Sequence, residues 1–199
     1  MPGPDGGVPW RGHRDTVRWQ TLAAGRLRLP RVWHAALLET GSLTARLRSC
    51  CGERFAVRVL AETPMRLTRR DARALGLPVG MPHRLREVYL CCGEEPVVYA
   101  RSLLPLAAAR GRLRGLMRLG SRPLGELLFA YPDVRRGPMA LGRLRPGSIA
   151  HRALSRGLAA SPGIVWGRRS QFALPGTAVV VCEFFLPAAL DVLHDKRTP

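Results

Sequence analysis

The chain has 199 residues, 46% of them hydrophobic and 23% charged, and a formal net charge of +18. That length and apolar share suit one compact domain, and no run of about 18 apolar residues is present to cross a membrane as a helix. The basic balance invites phosphate binding, but Lys196 is the only lysine among 32 basic residues, the arginines never run longer than two, and aromatic residues make up 6%; with no basic track and no stacking platform, nucleic acid is not expected as a partner.

Met1 to Gly12 holds proline, glycine and charge without an apolar h-region, so no secretory signal is read and a cytoplasmic protein is expected. Residues 1–30 read as a partly ordered N-terminal extension. Arg31 to Thr40 has Val32, Ala35, Ala36 and Glu39 at helical spacing, with Gly41 as terminator. Arg54 to Leu60 alternates, placing Phe55, Val57 and Val59 on one face of a strand. Thr68 caps a short helix running to Leu75, stopped by Gly76 and Pro78. Arg84–Cys91 and Pro96–Leu104 flank Gly93-Glu94-Glu95 and predict a hairpin.

Leu113, Leu116 and Met117 share a helical face closed by Gly120, and Pro123 opens a second helix with Leu124, Leu127 and Leu128 on one side. Core packing accounts for most of these leucines, although two short helices joined at Gly120-Ser121 also suit a lid. Arg135 to Leu144 carries a weak strand pattern, and the excursion from Pro146 to Gly163 contains a helix around Ile149 to Leu158. The strand Arg168–Leu174, a turn at Pro175-Gly176 and the strand Thr177–Leu186 follow, and residues 191–199 form a polar, loose tail. Hairpin-joined strands with helices grouped between them predict an α+β domain over residues 31–190, built on a single antiparallel sheet with surrounding helices.

The five cysteines occur as Cys50-Cys51, Cys91-Cys92 and Cys182, an odd number without a Cys-x-x-Cys spacing, so neither a zinc site nor a disulfide framework is expected. Reduced core thiols are the reading that remains. The histidines at 13, 34, 83, 151 and 194 have no metal-ligand spacing either, and a protein without metal or cofactor is expected.

Glu183 stands in the most apolar and strand-like run of the chain, Ala178 to Pro187. A buried carboxylate is kept only where a partner pairs with it or its chemistry is used, so Glu183 is either solvent-facing on an edge strand, paired with an arginine, or functional. Alternation places Val179, Val181, Glu183 and Phe185 on one face and Val180, Cys182 and Phe184 on the other. Both faces are apolar, which predicts a central strand and a buried Glu183. In the hairpin, Arg86 shares a face with Val88 and Leu90, while Glu87 lies with Leu85 and Tyr89. A buried Arg86 needs an anion: it and Glu183 either satisfy each other or both meet a ligand.

Six blocks stand in one order: Gly41-Ser42-Leu43-Thr44, Leu85-Arg86-Glu87-Val88-Tyr89-Leu90-Cys91, Ala100-Arg101-Ser102-Leu103-Leu104-Pro105, Pro123-Leu124-Gly125-Glu126-Leu127-Leu128-Phe129, Trp166-Gly167-Arg168-Arg169-Ser170 and Cys182-Glu183-Phe184-Phe185-Leu186-Pro187. Together they resemble the chorismate pyruvate-lyase family over residues 30 to 190. The resemblance implies a carbon–oxygen lyase that needs no metal or cofactor and cleaves chorismate to 4-hydroxybenzoate and pyruvate, the committed step toward ubiquinone. It also implies a product held tightly beneath helical flaps, with product inhibition; a monomer is expected, although the sequence does not give the oligomeric state.

By position, the resemblance assigns Arg86 to the ring carboxylate and Glu183 to the 4-oxygen end of the ring, as the two catalytic residues. It adds Leu43 and a main-chain contact of Leu124 as further substrate-binding residues. Arg101 and Arg168 are second-tier candidates for the enolpyruvyl carboxylate, beside the reading of each as a structural or solvated arginine. Glu183, in its apolar strand, would donate a proton toward the ether or handle the ring proton. The chain departs from the family at Leu43, where methionine is common, at Ala100, where some relatives have glycine, and in a longer segment from Arg145 to Ile164; Met-to-Leu keeps volume and apolarity, so binding is expected to survive. The alternative is a non-catalytic effector-binding domain of the same fold. The arginine surplus also suits weak association with a membrane surface.

Overall fold

The computed structural model describes residues 17–194 apart from 110 and 175–176. The turn expected at Pro175-Gly176 therefore lies outside the described residues, as do the start of the N-terminal extension and the end of the tail. Among the described residues, eight strands form one antiparallel sheet: β1 (Gln20–Thr21), β2 (Phe55–Arg66), β3 (Pro82–Cys92), β4 (Glu95–Pro105), β5 (Arg135–Arg136), β6 (Ala140–Leu144), β7 (Val165–Leu174) and β8 (Thr177–Phe185). Their order is β1-β6-β7-β8-β4-β3-β2, and β5 pairs alongside β7. This is the α+β architecture that the alternation predicts, and β8 is central, between β7 and β4.

The helices are short: α1 (Leu22–Arg26), α2 (His34–Leu37), α3 (Leu43–Cys51), α4 (Arg69–Ala74), α5 (Leu124–Ala130), α6 (Ile149–Ser155) and α7 (Ala188–His194). Side-chain hydroxyls of Ser42, Thr68 and Ser148 accept from backbone N–H groups in the first turns of α3, α4 and α6, which satisfies donors that a helix start leaves without partners. The face shared by Leu116 and Met117 forms as 3₁₀ helix over Gly111–Met117 rather than as α-helix.

Several elements exceed what the sequence pattern announced. β2 continues to Arg66 because a register shift between Val59 and Ala61 breaks the alternation while the pairing continues, as a bulge does. α3 lies where only a terminator was read; its Leu43, Leu47 and Cys51 recur at helical spacing and are buried. α7 occupies the start of the expected loose tail, with Ala189 and Leu193 buried against Leu37 and Leu47. In the expected extension, β1 adds an edge strand to β6.

The cysteine reading needs correction. Cys51, at the end of α3, is disulfide-bonded to Cys92, at the end of β3, with Cα atoms 5.5 Å apart; free thiols remain at Cys50, Cys91 and Cys182. A separation of 41 residues leaves no spacing motif. Only the packing of α3 over the end of β3 brings the two sulfurs within bonding geometry.

The sheet divides two sides. On one, Leu85, Tyr89, Tyr99, Leu103, Cys182 and Phe184 pack against α4 and α6 in one continuous core. The other side carries two clusters: Val88, Leu90, Ala100 and Phe185 with α2, α3 and α7, and Phe172, Val179 and Val181 with Leu116, Leu119 and Leu128. No described helix is long and apolar enough to cross a membrane, and the described residues include no group of three or more His, Cys, Asp or Glu that could hold a metal ion.

Candidate active site

The two-cluster side holds a cavity with about 600 Å³ of atom-free space, its opening to solvent included. It lies at the seam between the clusters, with Val88 and Ala100 on one side and Phe172 and Val181 on the other. Strand register explains which side chains reach it. One cross-strand row runs Glu62, Arg86, Ser102, Val181, Ser170, and the next runs Val59, Val88, Ala100, Glu183, Arg168. Arg86 and Glu183 thus point to the same side from strands separated by β4. With strands about 4.8 Å apart and residues rising about 3.4 Å each, their Cα atoms stand roughly 12 Å apart.

Arg86 is 2% exposed and ion-paired with its cross-strand partner Glu62. Its other terminal nitrogen donates to the carbonyls of Gly120, at 2.8 Å, and Arg122, at 3.4 Å. Both carbonyls lie in the turn before α5, and Gly120 has φ of 52°, a conformation that glycine adopts without steric cost. The guanidinium therefore ties the turn carrying the second flap to the sheet.

Glu183 meets Arg168, its cross-strand partner on β7. Arg168 Nε donates to Glu183 Oε2 at 2.6 Å, with the two side chains 1% and 16% exposed respectively. Arg168 also donates from Nη1 to the Glu39 carbonyl at 2.5 Å and lies 5.6 Å from the Phe185 ring centre. Mutual pairing of Arg86 and Glu183, one of the two arrangements expected, does not form; each has its own partner and they sit at opposite ends of the cavity.

Two flaps close the side away from the sheet. Leu43 and Thr44 open α3, and Leu124 and Leu128 come from α5. As first residue of α5, Leu124 has a backbone N–H without a partner inside the helix. A Cβ at Gly125 would lie 2.8 Å from Thr44 Oγ1, so only glycine lets the flaps meet this closely. An ion pair at 2.5 Å between Arg48 and Glu126 links them farther out. Phe129 lines the cavity while 48% exposed, which places it at the rim.

Arg101 does not join this group. Alternation in β4 turns Ala100 and Ser102 to the cavity and Arg101 to the opposite side, where Arg101 Nε lies 3.0 Å from Glu87 Oε1. Tyr99 donates its hydroxyl to the same carboxylate, and burial foremost pushes that hydroxyl's pKa up. The second-tier arginines thus separate: Arg168 lines the cavity and Arg101 belongs to a closed internal cluster.

Glu62, Ser102 and Arg136 enter the picture only through the fold. Glu62 follows the bulge that truncated the β2 reading. Arg136 sits on a two-residue strand too short for any periodicity, and reaches the cavity because β5 pairs with β7 at Phe172. Its Nε and Nη2 donate to Ser170 Oγ at 3.0 and 2.7 Å, and Nη1 donates to the Thr40 carbonyl at 2.6 Å. Burial lowers its pKa, and the nearby charge of Arg168 acts in the same direction.

Against known proteins, the chain matches the family model described as chorismate lyase over residues 14–196. It belongs to the chorismate lyase family. A relative named probable chorismate pyruvate-lyase from Azoarcus sp. (strain BH72) is 45% identical over 164 residues, covering 80% of this chain and 86% of the relative. One of the same name from Methylococcus capsulatus (strain ATCC 33009 / NCIMB 11132 / Bath) is 43% identical over 158 residues, covering 78% and 95%. Among solved structures, a GntR-family transcriptional regulator from Bacillus cereus aligns with TM-score 0.50 and 12% identity over 68% of this chain and 94% of that one, a likeness of fold alone. The chorismate lyase blocks converge on the cavity: Leu43, Arg86, Ala100, Leu124, Arg168 and Glu183, one from each, line it.

Proposed function

We propose that this chain is a chorismate pyruvate-lyase producing 4-hydroxybenzoate and pyruvate in the cavity between the sheet and the two flaps. One observation carries the reading: Arg86 and the Glu183–Arg168 pair stand at opposite ends of a single apolar cavity. Chorismate has matching polarity, with a carboxylate at one end of its ring and, at the other, a 4-hydroxyl beside the enolpyruvyl ether on carbon 3.

Arg86 grips the ring carboxylate by a charge-assisted contact, with the Leu124 N–H beside it. Leu43 and Val181 pack on the ring. Glu183, held by Arg168, accepts a hydrogen bond from the 4-hydroxyl and takes the proton from carbon 4. As that C–H bond breaks, its electron pair closes the aromatic ring and the carbon 3–oxygen bond pair leaves with the enolpyruvyl oxygen. Returning the proton to the departing group gives pyruvate, so atoms and charge balance. Aromatisation drives the reaction, and the protein supplies orientation and proton handling without metal or cofactor.

An aromatic product held by Arg86 under closed flaps leaves slowly, so 4-hydroxybenzoate inhibits. We place the protein in the cytoplasm as a monomer feeding ubiquinone synthesis, its arginine-rich surface suited to weak contact with anionic membrane surfaces. The test is incubation of purified protein with chorismate in the presence of a chelator, following 4-hydroxybenzoate by absorbance and pyruvate by a coupled assay. Equimolar products are expected. Tight binding of 4-hydroxybenzoate without any turnover of chorismate would replace the lyase with an effector-binding domain.

A further inference from the structure

Arg136 is the cation of the cavity that the proposed mechanism does not use. Among the described residues lining the cavity, Arg86, Arg136 and Arg168 face a single carboxylate, Glu183. Arg86 has Glu62 for its own counter-ion, which leaves Glu183 as the lining carboxylate for Arg136 and Arg168; the exposed Glu39 carboxylate, which accepts from the Gly41 N–H, also acts on both arginines but does not line the cavity. Two partly or fully buried guanidinium groups beside one carboxylate form a site with a net positive charge, and such a site favours an anion. A guanidinium fork matches a carboxylate in particular.

Arg136 is also held for that task. Ser170 Oγ accepts from both Nε and Nη2, the Thr40 and Gly41 carbonyls accept from Nη1 at 2.6 and 3.4 Å, and the Phe172 ring centre lies 5.7 Å from the guanidinium carbon, so the second N–H of Nη2 is left for a ligand. Arg168 uses Nε on Glu183 and Nη1 on the Glu39 carbonyl, which leaves further N–H donors of its fork for a ligand. The two arginines are thus fixed at the Glu183 end by a serine, three main-chain carbonyls and two aromatic rings.

We infer that Arg136, together with Arg168, receives the second, enolpyruvyl carboxylate of the substrate and makes the cavity select a dicarboxylate over its monocarboxylate product. The inference rests on the lyase reading of the site and adds the residue that tells substrate from product. After cleavage this carboxylate departs with pyruvate, so Arg136 loses its ligand while Arg86 keeps the ring carboxylate. Arg136 also touches the chain just before the first flap, through Thr40, so occupancy of the second carboxylate site and the position of Ser42 to Thr44 are linked through one side chain.

The test pairs chorismate kinetics with 4-hydroxybenzoate binding by calorimetry in Arg136→Ala and Arg136→Lys. A charged hydrogen-bonding contact of this kind corresponds to a loss of roughly 10- to 100-fold, expected in the KM for chorismate of Arg136→Ala. The Kd for 4-hydroxybenzoate is expected to stay within about twofold, which also reports an intact fold, and Arg136→Lys should recover part of the KM, since charge returns without the fork. Equal losses for both ligands in both variants, or an unchanged KM, would overturn the assignment. If the wild-type protein binds chorismate without converting it, the lyase reading falls and the Arg136 assignment is decided by the chorismate Kd instead.

Discussion

The two sides of the central strands place similar charges within one residue of each other and do opposite things with them. Arg86 and Glu87 are neighbours on β3, and Arg101 and Ser102 are neighbours on β4. On the α4 and α6 side, Glu87 and Arg101 are direct cross-strand partners at 3.0 Å, and Tyr99 completes the cluster. That carboxylate and that guanidinium form an ion pair with each other beneath a continuous core. On the flap side, the anion and the cation lie two strands and one pleat apart, each with its own partner, and the core splits into two clusters with a cavity between them. Burial of charge alone does not identify a site; the site is where two separate ion pairs, Arg86–Glu62 and Arg168–Glu183, border one cavity instead of merging into a single closed cluster.

That contrast can be broken from either side. The largest effect is expected on the flap side: Glu183→Gln removes the proposed proton acceptor and should lower chorismate turnover on the order of 10²- to 10⁴-fold, while urea unfolding shows a folded protein. On the other side, Arg101→Ala strands Glu87 without its cation, and loss of one member of a buried pair costs about 3–5 kcal/mol; denaturant midpoints read this, and turnover per folded molecule should stay near wild type. Next comes the Cys51–Cys92 bond, which joins the end of the first flap helix to the end of β3 across 41 residues. Its reduction, or Cys92→Ser, should cost about 2–4 kcal/mol, seen as a lower denaturation midpoint with dithiothreitol.

The smallest effect concerns His83, which lies on the closed side with no exposed surface and meets the Met81 carbonyl through Nδ1 at 2.9 Å. Burial lowers its pKa from the ordinary value of 6.5. The unfolded chain therefore binds a proton before the folded one does as pH falls, so stability drops below about pH 6.5. His83→Gln should flatten that part of the stability profile.

The fold and half of the site were legible because alternation is a local signal. Val179, Val181, Glu183 and Phe185 share a face by strand geometry alone, and so do Arg86, Val88 and Leu90. What alternation cannot say is which face of one strand meets which face of the next, since a one-residue slip in register exchanges every side chain. Arg101 and Arg168 are alike as candidate cations in the sequence, and only the register of β4 and β7 shows that they point to opposite sides. Glu62 was hidden by the bulge in β2, Arg136 by a strand of two residues, and the Cys51–Cys92 bond by its long separation. Leu43 and Leu124 carried no local signal of binding and came through the chorismate lyase resemblance.

The most direct measurement is the Kd of 4-hydroxybenzoate in Arg86→Ala and Arg101→Ala, titrated under conditions where both variants are folded. If one face binds and the other only holds the sheet together, Arg86→Ala weakens binding by roughly 30-fold or more, a loss of at least about 2 kcal/mol, and Arg101→Ala leaves it within about twofold. Equal weakening in the two variants, or loss confined to Arg101→Ala, would contradict the account.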